Sequence, residues 1–153
     1  MKEQFITFET AKLAKEKGFD IPTIQFYTSG KKAYLSKAED YMTERYAESN
    51  WNNGRGSYPT EPEKVSCSAP TQSLLHKWLR EKHNIDVVIS PERYYTGVNY
   101  LVQAQKWDLN ADPEVKLNFV IKGSCWYNDN HEYPTYEEAL EKGLQEALKL
   151  IEL

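Results

Sequence analysis

Apolar residues recur every three to four positions at Tyr136, Leu140, Leu144, Leu148 and Ile151, the stripe of an amphipathic helix. Thr135 with Glu138 makes a capping box at its start, with Pro134 just outside. Ala139, Gly143 and Ala147 flank the stripe, so close approach to a sheet is expected. Gly143 costs about 1 kcal/mol of helix propensity relative to alanine, and tight packing is the natural reason for it. A second apolar face, Leu74, Leu75, Trp78 and Leu79, predicts a helix over 71–83. Pro70 suits its first turn, Lys82 and His83 its C-terminal dipole, and Asn84 a left-handed exit.

A shorter helix is predicted over 7–18, capped by Thr7 and ended by Gly18, with Phe19 folding back over the last turn. Strand-like runs follow the second helix. Residues 85–89 are β-branched and Pro91 is expected to close them; 94–107 centre on Val98, Tyr100, Val102 and Ala104. Val115, Leu117, Phe119 and Ile121 alternate strictly, one buried face of a third strand. Short connections make an antiparallel meander the cheapest topology. Near the N-terminus, 24–28 and 33–35 flank Ser29-Gly30 and predict a hairpin. Ser36 with Glu39 matches a capping box for a helix carrying Ala38, Tyr41, Met42 and Tyr46. Residues 49–66, rich in Asn, Gly and Pro, predict a long loop. The expected fold is α+β: a mostly antiparallel sheet, a three-stranded meander plus an N-terminal hairpin, with both main helices on one face. A length of 153 residues fits a single domain over 1–153.

Charge narrows the function classes. The net −4 is carried by the stretch from Glu132 onward, so the rest is neutral and no basic stripe suited to a phosphate backbone appears. The nearest approach is Lys77, Arg80 and Lys82 against Glu81. The start Met1-Lys2-Glu3-Gln4-Phe5 has no apolar secretory core, and no run nears the ~18 apolar residues that span a bilayer. A cytoplasmic chain with no membrane partner is expected. Eleven Tyr and four Trp stand out; strand positions and half-wet loops account for most of them.

No catalytic or metal-binding pattern emerges. His76 and His83 are seven apart, too far along one helix to chelate a single ion, and Cys67 and Cys125 form no close-spaced pair. Cys67 precedes a helix N-terminus, where a thiolate would be stabilised, but a covered thiol is the expected state. Cys125, Asp129 and His131 share one stretch where they could converge, and Cys125 and His131 are the candidates for an enzyme's loop-built pocket. No cofactor is expected.

The runs Ala11-Lys12-Leu13-Ala14-Lys15-Glu16-Lys17-Gly18-Phe19-Asp20, Ser68 through Ile85 and Tyr136 through Leu148 resemble, in the same order, segments of small uncharacterised proteins of phages and prophages in gut bacteria. These proteins often carry Gln at the position of His76. The resemblance implies a phage or mobile-element accessory protein and brings no activity with it. The expected function is a non-enzymatic interaction module for a phage or host protein. Its contact surface is expected at Trp51, Arg55 and Tyr58, because Trp, Tyr and Arg dominate interface energetics. The alternatives are a nucleic-acid-associated protein using Lys77 and Arg80 with the following strands, and an enzyme.

Overall fold

The computed structural model describes residues 3–28, 34–37, 50–53, 66–94, 97–106 and 133–152. The chain divides into two compact units, Met1–Ser73 and Leu74–Leu153. The fold is α+β. Its strands form two small antiparallel sheets among the described residues rather than one.

In the first unit, α1 spans Phe8–Glu16. Thr7 caps it, its hydroxyl accepting from the Thr10 N–H at 3.4 Å. The exit is as expected: Gly18 takes φ 81°, and the Gly18 and Phe19 N–H groups bond back to Lys15 and Ala14 carbonyls at 3.1 and 2.9 Å. Phe19 is buried. Strand β1 (Gln25–Thr28) pairs with β2 (Tyr34–Lys37), the expected hairpin, and on its other side with β3 (Ser66–Ser68). Ser36, expected to open a helix, instead faces Phe26 in the β1–β2 ladder. The rest of that expected helix lies outside the described residues. β3 overlaps the expected loop over 49–66 only at Ser66, and Ser-Cys-Ser has no hydrophobic alternation to announce a strand.

Helix α2 (Gln72–His83) opens at the end of the first unit and runs through the second. The Gln72 N–H, unsatisfied within a first turn, donates to the Gln4 carbonyl at 2.9 Å. Asn84 makes the left-handed exit at φ 55°.

The second unit is built on a hairpin of β4 (Ile85–Tyr94) and β5 (Gly97–Lys106), paired from Ile85↔Lys106 to Tyr94↔Gly97. β4 does not stop before Pro91; it runs through it. Pro91 faces Tyr100, whose N–H and C=O both turn away from β4 to Tyr133, at 2.9 and 3.1 Å. Neighbours in an antiparallel pair share this parity, so the ring nitrogen of Pro91 points to the outer edge and breaks no ladder bond. The expected strand at 115–121 lies outside the described residues.

Helix α3 (Tyr136–Lys149) is capped by Thr135, whose hydroxyl accepts from the Glu138 N–H at 3.2 Å. Its buried residues are Ala139, Leu140, Gly143, Leu144, Ala147 and Leu148. It lies on β4 and β5 with Gly143 against Val87 and Val102, the close approach its small residues imply. Tyr136, expected in the buried stripe, is 47% exposed, its ring at right angles to that of Tyr100 with centroids 6.1 Å apart. The stripe therefore begins one turn later. α2 reaches the hairpin through His76, which meets Asp86 of β4.

Candidate functional site

Trp51, expected in an exposed contact surface, is a core residue. It opens a single 3-10 turn, Trp51–Asn53, and is 3% exposed. Its indole N–H donates to the Thr23 carbonyl at 2.6 Å, and its ring stacks on Phe26 with centroids 4.0 Å apart. Asn52 clamps the same turn: its amide donates to the Phe19 carbonyl at 2.8 Å and accepts from the Ser68 N–H at 2.9 Å. An apolar ring in a polar loop found its partners inside. Arg55 and Tyr58 lie outside the described residues.

Lys77 and Arg80 sit on α2 with side chains more than half exposed. Each has a carboxylate nearby: Lys77 Nζ is 3.9 Å from Glu81, and Arg80 Nη1 is 4.0 Å from Asp86. Lys82 Nζ stands 5.9 Å over the Trp78 ring. Trp78 itself is buried, with the His83 ring edge-on at 4.4 Å. Two of the three cations on this helix thus stand beside carboxylates, and the third lies over an aromatic ring.

His76 Nε2 lies 2.6 Å from Asp86 Oδ1 and 3.1 Å from the Val87 nitrogen, whose N–H is also 3.0 Å from that oxygen. An ionised carboxylate only accepts, so Nε2 carries a proton and donates to Asp86. A protonated ring nitrogen cannot accept, so the Val87 N–H belongs to Asp86 Oδ1 as well. Arg80, one turn beyond His76, adds its charge on the same oxygen. Sequence shows the helical spacing of His76 and Arg80. It does not show that a strand residue ten positions on completes the cluster.

The hairpin beyond this cluster is exposed toward its tip. Ser90, Pro91, Glu92, Arg93, Gly97 and Val98 are all exposed, Val98 at 43%. Alternation puts Pro91, Arg93 and Val98 on the side that α3 covers further down, and Ser90, Glu92 and Gly97 on the other. α3 starts at the level of Tyr100, so among the described residues the strands continue past the helix as an arm exposed on both faces.

Cys67 stands in β3 opposite Tyr27, not at a helix N-terminus, and is a free, buried cysteine. Burial pushes its thiol up from 9.0 to about 11, against a weaker opposite pull from Lys15 and Lys12. Below pH 9 the thiol is neutral folded or unfolded, and its contribution to stability is intact. Between pH 9 and about 11 the unfolded chain gives up a proton that the fold retains, so stability falls as pH rises. Alkylation followed by peptide mapping at pH 8 should leave Cys67 unmodified in the native protein and modify it in urea. In melts across that alkaline window, a Cys67→Ala variant should lose less stability than wild type.

Among the described residues no three His, Cys, Asp or Glu side chains converge as metal ligands. Cys125, Asp129 and His131 lie outside those residues. No helix of the described residues is long and apolar enough to cross a membrane. No family model, characterised protein or solved structure matches the chain.

Proposed function

We propose that this chain is a non-enzymatic protein-interaction module, an accessory protein of a phage or mobile element acting in the cytoplasm on a phage or host protein. The observation that carries this reading is the β4–β5 arm, which extends past its supporting helix with both faces exposed. A two-stranded hairpin is marginal by itself in water, so a projecting one is surface that a partner can complete. Arg93, Pro91 and Val98 give it a mixed apolar and cationic face, and Glu92 offsets the charge. The phage setting rests on the three resembling segments. The unpaired, buried thiol of Cys67 suits a reducing compartment. A nucleic-acid role for Lys77 and Arg80 is the weaker reading, because Glu81 and Asp86 stand beside them.

The test is a nuclease-treated pull-down from lysate of the native bacterium, with wild type and an Arg93→Glu/Val98→Asp variant of matched melting temperature. A stoichiometric protein partner is expected with wild type and lost with the variant. Recovery of nuclease-sensitive material only, or equal recovery by both, contradicts the reading.

A further inference from the structure

The same arm that offers its faces has an edge that is guarded. Backbone groups of an antiparallel strand alternate between pointing at the partner strand and pointing away. Two independent contacts fix that alternation for β4. The Val87 N–H points away from β5 to Asp86 Oδ1 at 3.0 Å. Tyr100, opposite Pro91, exchanges both backbone bonds with Tyr133 on the far side of β5. Val87, Ile89, Pro91 and Arg93 therefore turn their backbone groups to the outer edge of β4.

Each second one of these four positions is blocked. At Val87 the N–H is held by Asp86, which His76 Nε2 fixes at 2.6 Å with Arg80 Nη1 4.0 Å away. At Pro91 there is no N–H to offer. No two successive outward positions then present an N–H to an incoming strand, although Ser90 through Arg93 meet solvent. An exposed strand edge is otherwise a template for pairing with another chain.

We infer that the His76–Asp86 pair and Pro91 together close the outer edge of β4 against strand addition by a second copy of this chain. The first unit shows the same device at a second edge. The Ala69 N–H bonds inward to Gln25, so that of Ser68 points outward, where Asn52 Oδ1 takes it at 2.9 Å. The edge inference is independent of the arm's partner: it concerns the backbone edge, whereas partner binding rests on the side chains of Arg93 and Val98.

The test is sedimentation over a range of concentrations. Pro91→Thr restores one N–H at an exposed site and makes Ile89, Thr and Arg93 three successive outward donors. Larger, concentration-dependent species are expected for this variant, and at lower concentration for Pro91→Thr combined with Asp86→Ala. His76→Gln keeps a donor for Asp86 and should sediment as wild type does. Where the double variant does not fold, Pro91→Thr alone decides. A folded Pro91→Thr protein that sediments like wild type at every concentration overturns the inference.

Discussion

Replacing Gly143 with alanine should lower the stability of the protein by up to about 2 kcal/mol, the reverse of what helix propensity predicts. In an ordinary helix the change gains about 1 kcal/mol. Here the new Cβ would sit 2.4 Å from Val87 Cγ1 and 2.5 Å from Val102 Cγ2, distances real carbon atoms do not tolerate. Both neighbours are β-branched and stiff about χ1, and they belong to paired strands. Neither can swing aside as the end of a lysine would, so α3 must lift from the hairpin. Overpacking of this kind costs about 1–3 kcal/mol, which outweighs the propensity gain, and Gly143→Leu should cost more than Gly143→Ala. Adding Val87→Ala to Gly143→Ala should recover part of the loss, because the two sites share one contact. Urea melts of the three variants measure this. A Gly143→Ala protein more stable than wild type by about 1 kcal/mol, the bare propensity gain, would mean that helix and hairpin are not in close contact.

Trp51→Ala should be at least as damaging, by about 3–5 kcal/mol, the usual cost of deleting a large buried aromatic. The stack on Phe26 and the hydrogen bond to Thr23 both vanish. Trp51→Phe separates them. It keeps a ring for Phe26 but strands the Thr23 carbonyl, for a cost of about 1–3 kcal/mol. Partner recovery by a Trp51→Phe protein below its melting temperature should equal wild type, since the side chain is inside. Trp51→Ala with unchanged melting and lost binding would return Trp51 to the contact surface.

The parts of this fold that sequence makes legible are those that local chemistry determines. The apolar stripe and the Thr135–Glu138 box define α3, Gly18 with Phe19 ends α1, and Asn84 turns α2 into β4, each within a few residues of chain. Gly143 was readable as a contact because a helix interior rarely accepts glycine without one. What stays hidden depends on distant partners. β3 is three small residues made a strand by pairing with β1, and Pro91 continues β4 only because parity turns its nitrogen outward. Trp51 reads as an exposed anchor in a polar loop until Phe26 and Thr23 are found beside it. At the candidate site the exposure of Lys77 and Arg80, and the Lys77–Glu81 pair, follow from helical spacing. The Asp86 partner of Arg80 and His76 does not, nor does the point where α3 stops covering the hairpin.

The most direct test of the interaction-module reading is amide hydrogen exchange on wild-type protein, free and bound to the partner recovered by pull-down. Slowed exchange concentrated in residues 90–94 and 97–101, with α2 unchanged, is the predicted result. Protection confined to α2 around Lys77 and Arg80, with the arm exchanging as in the free protein, would contradict it.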